Sequence, residues 1–268
     1  MKKILCVLMS CLLFVMAGCS GHSKNLKFGA ADIGGVYYSF ASTFTQLADK
    51  EIDGYTFETK TTAGSVANLR LISDGYIDLA IVQADLLSDA YNATGTFADK
   101  KYQKGYKAVA SLYTEACQIV VPADSDIQSM DDLEGKKVCI GEEESGTEQN
   151  ALQILNAYGL NERLVDTVNL NYTDAAKKLK SGDIDAFFCT AGVQTTVINE
   201  LSKQCKIRLV SLDQKGVSRL KKSYKFYTEY TIPAGTYVNQ TKEIKTVGVK
   251  AVLLASDKLS EDTVKDLS

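Results

Sequence analysis

An α/β fold with mainly parallel strands, arranged as two related lobes, is what this 268-residue sequence predicts. Three observations carry that expectation. From residue 26 onward, short β-prone runs alternate with stretches of helical periodicity, the pattern of strands linked by helices. Strand ends run into loops bearing glycine, serine or threonine before the next helix, and this design recurs four times along the chain. Finally, residues 71–80 (Leu-Ile-Ser-Asp-Gly-Tyr-Ile-Asp-Leu-Ala) parallel residues 179–187 (Leu-Lys-Ser-Gly-Asp-Ile-Asp-Ala-Phe). Both read as a helix end, a glycine stop, Ile-Asp and a buried strand.

The first junction spans residues 26–40. A strand over 25–29 meets a loop with Gly34 and Gly35, and a helix over 36–50 follows with Phe40, Phe44 and Leu47 on its apolar face. A helix N-terminus presents unpaired N–H groups and partial positive charge, so such a junction can hold an anion. A strand over 55–60 precedes the second junction, Thr61-Thr62-Ala63-Gly64-Ser65, and a helix over 65–74. Ser65 suits either a cap or a ligand hydroxyl. Arg70 is expected to pair with Asp74 at i,i+4. The strand over 78–82 is apolar from Leu79 to Val82 and places Gln83 at its C-terminal edge, where ligands meet such sheets. A helix over 84–92 comes next.

Residues 106–121 hold two apolar runs, 107–111 and 116–121, around Tyr113-Thr114-Glu115, and read as the passage between lobes. A strand over 137–141 leads to the third junction, Gly141 to Thr147, and a helix over 147–158. Glu142, Glu143 and Glu144 are expected to be solvated loop charge. Strands over 165–170 and 185–189 flank a helix over 173–181. The fourth junction, Cys189 to Gly192, opens a helix over 192–203. A strand over 206–210, an aromatic β-prone stretch over 223–238 returning the chain to the first lobe, a strand over 246–254 and a helix over 259–266 complete the reading. The boundaries expected are 26–115 for the first lobe, 116–225 for the second and 226–268 for the return.

Residues 1–18 carry Lys2 and Lys3, an apolar run from Ile4 to Met16, then Ala17 and Gly18 before Cys19. A basic start, a short apolar core and small residues fit a secretory signal rather than a spanning helix. Ala-Gly-Cys resembles the bacterial lipoprotein box, which implies lipid on Cys19 and a polar tether over 19–25. Without the leader lysines the chain carries 28 basic and 33 acidic residues, a net −5 that argues against a nucleic-acid partner. Cys117, Cys139 and Cys189 sit in apolar runs as small core residues. No C-x-x-C pair suggests a zinc or redox site, and export permits disulfides that spacing cannot assign. His22, in the tether, is the only histidine, so no Ser-His or Cys-His couple can form in the folded body. Capture rather than catalysis is the expectation, with no cofactor.

Several motifs then act in combination: Ile33-Gly34-Gly35-Val36-Tyr37-Tyr38, Thr62-Ala63-Gly64-Ser65-Val66-Ala67-Asn68-Leu69, Ile81-Val82-Gln83-Ala84-Asp85, Ala110-Ser111-Leu112-Tyr113-Thr114-Glu115, Ser145-Gly146-Thr147 and Ile232-Pro233-Ala234-Gly235-Thr236-Tyr237. From about Lys27 to Val252 the chain resembles the TAXI family, the substrate-binding receptors of TRAP-type transporters. The resemblance implies a two-lobed type II periplasmic-binding-protein fold with mainly parallel sheets, flanking helices and a ligand cleft between the lobes. It implies a monomer that captures a small organic acid or amino acid, with glutamate, glutamine or 2-oxoglutarate-like compounds foremost. Delivery would be to ion-coupled TRAP permease subunits, from outside the cytoplasm on a lipid anchor. Carried over by motif, Gly35, Tyr37 and Tyr38 line one wall. Ser65, Asn68 and Gln83 contact the ligand from the same lobe, and Ser145, Gly146 and Thr147 from the other, with Ala191 and Gly192 beside them. Two departures stand out. Glu143-Glu144 replace a usual Pro-Gly before Ser145, and Gln194-Thr195 stand where a proline is common. The family also runs on past residue 268, which leads to the expectation of a shortened chain. Two other functions fit the same residues: the binding protein of an ATP-driven importer for sulfonate-like solutes, and a ligand sensor without transport.

Overall fold

The computed structural model describes residues 24–98, 104–161 and 163–267. The expected leader, Cys19 and all but the last two residues of the tether lie outside them. The chain opens with β1 (Lys24–Gly29), α1 (Val36–Glu51), β2 (Tyr55–Lys60), α2 (Ser65–Ser73), β3 (Leu79–Gln83) and α3 (Ala84–Asn92). A long strand, β4 (Tyr106–Pro122), leads to β5 (Lys137–Cys139), α4 (Gly146–Ala157), β6 (Asp166–Val168), α5 (Tyr172–Ser181), β7 (Ala186–Ala191) and α6 (Thr196–Gln204). Then come β8 (Ile207–Leu209), α7 (Gln214–Ser223), β9 (Thr228–Ile232), β10 (Ile244–Ser256) and α8 (Glu261–Asp266).

The strands form one sheet in the order β2-β1-β3-β10-β4-β7-β5-β6, with β8 added to β4 and β9 to β10. Within each half the short strands are parallel: β1 with β2 and β3, and β5 with β6 and β7. The two long strands cross the seam antiparallel. The start of β4 pairs with the end of β10, while Ala116–Val120 pair with β7 and Ile244–Gly248 pair with β9. Each half therefore carries helices on both faces, as expected of a two-lobed α/β protein.

Period-two alternation decides which face each strand residue serves. In β3, Leu79 and Ile81 pack toward α1, whereas Ala80 and Val82 pack toward α2 and α3. In β7, Phe188 joins the core under α4 and α7, and Phe187 the core under α5 and α6. The result is four hydrophobic cores, two per half.

The sequence echo has a physical basis. Gly75 and Gly182 both take the left-handed conformation that ends the preceding helix (φ 77° and 79°). Asp78 then accepts from Lys27 N (2.9 Å) and donates its own N–H to Lys27 O (2.8 Å). Asp185 does the same with Lys137 N (2.7 Å) and Lys137 O (2.8 Å). Each half thus locks the start of its own parallel strand with one aspartate.

Several expectations change. Residues 106–121 form one uninterrupted strand rather than two runs around a break. Tyr113 and Thr114 are β-prone, and no glycine or proline intervenes. From Ala116 to Val121 this strand is covered on both faces, hence its continuous apolar character. The expected lobe boundary at 115/116 falls inside it. The return also starts later: Tyr227, Ile232 and Tyr237 pack in the second half's cores, and β10 carries the chain back. Helix α7 was not expected from the sequence. Its buried side is only Gly216, Val217 and Leu220, so its apolar pattern is faint, although Asp213 caps it. The fourth-junction helix begins at Thr196, not at 192.

Candidate functional site

The strand C-termini of both halves point at the seam, and a cleft lies there with an empty volume of about 470 Å³, open solvent at its mouth included. The halves are close together there. Two glycines make that approach possible. Gly64 has φ +130°, and a Cβ there would stand 3.3 Å from Ser145 Cα across the seam. A Cβ on Gly146 would collide with Gln83 Oε1.

Hydrogen bonds tie the halves on both flanks. On one, Arg70 Nη2 lies 2.5 Å from Glu144 Oε2, and Ala67 N donates to Glu144 O (3.1 Å). On the other, Thr173 N and Oγ1 donate to Asp32 Oδ2 (3.3 and 3.2 Å), and Val197 N donates to Gly34 O (3.1 Å).

The walls are helix starts. Helices α1 and α2 begin at Gly35 and Gly64, neither of which supplies a side-chain cap. The opposite helices are capped internally: Ser145 Oγ accepts from Glu148 N (3.0 Å) in α4, and Asn171 Oδ1 from Asp174 N (2.8 Å) in α5. Ala67 N of α2 is taken by Glu144 O, and α3, which follows the lining residue Gln83, also has no side-chain cap; the other first-turn amides of α1 and α2 have no capping side chain to compete with an anionic group.

The floor is a buried polar network. Tyr37 Oη donates to Glu115 Oε1 (2.5 Å), and Gln83 also hydrogen-bonds to the Glu115 carboxylate. Gln83 N donates to Ser65 Oγ (3.1 Å). Glu115 is only 2% exposed, and burial pushes its carboxyl up to about 8. Burial likewise raises Asp85 to about 6, just behind Gln83. Burial, and next Glu115 itself, hold the Tyr37 hydroxyl well above its ordinary range. On the far wall, Tyr172 Oη donates to Thr190 O (3.0 Å), and Thr147 Oγ1 lies 2.5 Å from Tyr172 Oη. Three acids, Asp32, Glu115 and Glu142, line the cleft, whereas among the described residues no lysine or arginine does.

Residues 28–268 match the NMT1-like family. The chain belongs to that family. Among solved structures it is similar to the periplasmic aliphatic sulphonate binding protein SsuA from Escherichia coli (19% identity, TM-score 0.50), covering 87% of this chain and 65% of that one. It is also similar to a putative L-cystine ABC transporter protein from Listeria monocytogenes (17%, TM-score 0.52, 91% and 87% covered). A third likeness is to a structure described as a periplasmic transporter (14%, TM-score 0.60, 91% and 81% covered). At these identities the likeness is one of fold. The chain spans about two thirds of the length of the sulphonate-binding protein.

Of the site residues expected from sequence, Gly35, Tyr37, Ser65, Gln83, Ser145, Gly146, Thr147 and Ala191 line the cleft. Three are placed elsewhere. Tyr38 faces the first half's core among Phe28 and its neighbours. Asn68 is fully buried: its Nδ2 donates to Ala30 O (2.7 Å) and Ile81 O (2.9 Å), and its Oδ1 accepts from Thr62 (2.7 Å). It braces two strand ends instead of touching a ligand. Gly192 packs behind the wall, where a Cβ would meet Val36 and Tyr113. The Arg70–Asp74 pair is replaced by Arg70–Glu144, and the loop acids are not simply solvated, since Glu142 lines the cleft and Glu144 holds Arg70.

Sequence reasoning missed Asp32, Glu115, Glu142, Asn171 and Tyr172 as lining residues. Glu115 left a signal, a lone acid opening the run 116–121, which is apolar but for Gln118. Asn171 and Tyr172 left none, because their junction lacks glycine. Among the described residues, no helix is long and apolar enough to cross a membrane, and no group of three or more potential ligands could hold a metal.

Proposed function

We propose that the chain is an extracytoplasmic solute-binding receptor. It captures a small polar molecule in the cleft between its halves and hands it to a membrane permease. The observation that carries this reading is the pair of uncapped helix starts, α1 and α2, facing a nearly closed polar cleft between two α/β halves. An anionic group of the solute would sit against those amides, with Ser65 beside it. With no basic side chain lining the cleft among the described residues, this would be an amide-held anion rather than an arginine-held one.

Two delivery routes are open. The fold neighbours, a sulphonate-binding protein and a putative cystine ABC transporter protein, support an ATP-driven importer. The TAXI-like motifs support an ion-coupled TRAP permease for glutamate- or 2-oxoglutarate-like solutes. The ATP-driven route is the better supported of the two. Lipid attachment at Cys19 would keep the receptor at the membrane.

Thermal shifts of the purified protein against amino acids, organic acids, alkanesulfonates and sugars test capture. A ligand at about 100 times its Kd adds about 2.7 kcal/mol, a readily visible shift. Uptake of that solute should fall on deletion of the gene. Uptake lost on ATP depletion, but kept when ion gradients collapse, assigns the ATP-driven route. The reverse assigns TRAP, and unchanged uptake overturns the transport role.

A further inference from the structure

We propose that the Glu115 end of the cleft selects a protonated nitrogen, so that the solute is an amine- or amidine-bearing molecule and not a dicarboxylate. The inference rests on the receptor reading above and sharpens its ligand class.

The groups at this end are acceptors. Glu115 receives donors from Tyr37 and Gln83, so the protein side of this carboxyl is lined by donors and a cation arriving from the cleft would favour its ionised form. With the Gln83 amide N–H₂ turned to Glu115, its Oε1 is left buried, on a residue 2% exposed, with no hydrogen-bond partner. That oxygen lies against Gly146 on the cleft wall, the position a Cβ would otherwise fill. A buried acceptor without a donor is costly, and a ligand N–H would satisfy it.

The surrounding charge agrees. Asp32 and Glu142 share the lining, and burial, then Asp32, raises the Glu142 carboxyl. Asp32 is already engaged by Thr173, so the acceptors at hand are Gln83 Oε1, the remaining lone pairs of Glu115 and, at the cleft edge, Glu142. A second carboxylate on the ligand would meet these acids with no basic side chain to offset them and would lose its hydration. A protonated nitrogen at the same place would pair with Glu115 and bring its carboxyl back toward the ionised form. An acidic group of the same ligand would sit against the α1 and α2 amides, close by, since Ser65 Oγ at the start of α2 lies 3.1 Å from Gln83 N.

Matched probes separate the alternatives: γ-aminobutyrate against succinate, 5-aminovalerate against glutarate, and L-alanine against lactate. The expected result is that the amine-bearing member of at least one pair binds, at least tenfold more tightly than its amine-free partner, by calorimetry. Glu115→Gln, which keeps the shape and the Tyr37 bond, should weaken that binding at least tenfold while the melting profile stays cooperative. An amine-free member binding as tightly as its partner overturns the inference but leaves the receptor standing. So does an affinity within twofold of the unmodified protein in Glu115→Gln. Silence from every pair also overturns it, and the receptor reading falls with it only if the wider panel of sulfonates and sugars is silent too. The probe comparison needs no variant, so a poorly folding Glu115→Gln does not remove the test.

Discussion

The two halves of the molecule end their equivalent helices in the same way but begin them differently. In both, a left-handed glycine stops a helix and an aspartate locks the neighbouring parallel strand, Asp78 on Lys27 and Asp185 on Lys137. At the cleft the symmetry stops. The second half caps α4 with Ser145 and α5 with Asn171, whereas α1 and α2 of the first half have no side-chain cap. The buried acid, Glu115, and the orphan acceptor on Gln83 also lie on the first half's side of the seam. The repeated parts build the scaffold, where the same backbone problem has the same solution. The unrepeated parts face the ligand, where unmet hydrogen bonds are a means of recognition rather than a defect.

The largest expected effect tests whether the halves are energetically separate. Phe28→Ala and Phe188→Ala each empty a fully buried site, one per half, and each should cost about 3–5 kcal/mol. Because β4 and β10 serve both halves, each variant should move a single calorimetric transition downward. Two transitions, of which each variant moves only one, would show that the shared strands do not couple the halves.

A smaller effect tests the repeated lock. Asp78→Ala removes a carboxylate hydrogen bond in a partly buried setting and should cost about 1.5–3 kcal/mol in chemical denaturation. Asp185→Ala removes the equivalent, more exposed bond and should cost less, about 1 kcal/mol. If either change is neutral, the echo is a sequence likeness without energetic content in that half.

The smallest effect concerns the seam. The Arg70 and Glu144 side chains are 42% and 33% exposed, so Arg70→Ala should change stability by no more than about 1 kcal/mol. Its signature should be in ligand affinity, weakened about two- to fivefold, since the pair joins the halves and not one core. A loss of stability as large as that of Asp78→Ala would mean that the pair holds the fold itself.

What the sequence determined by itself is local or periodic. The alternation of strands and helices, the glycine stops and the Ser-Gly-Thr helix start at Ser145 all depend on residues within one turn or one strand. The first three glycine-marked junctions were legible for the same reason, and eight of the expected residues do line the cleft. What only the tertiary structure decided depends on partners distant in the chain. Tyr37 and Glu115 are 78 residues apart, and Arg70 and Glu144 are 74 apart. Asn68 resembles a ligand-contacting amide in its motif, yet strand ends 13 and 38 residues away take its hydrogen bonds. No local pattern reports such pairings, because sequence spacing fixes which residues share a face, while only packing of the two halves fixes which faces meet.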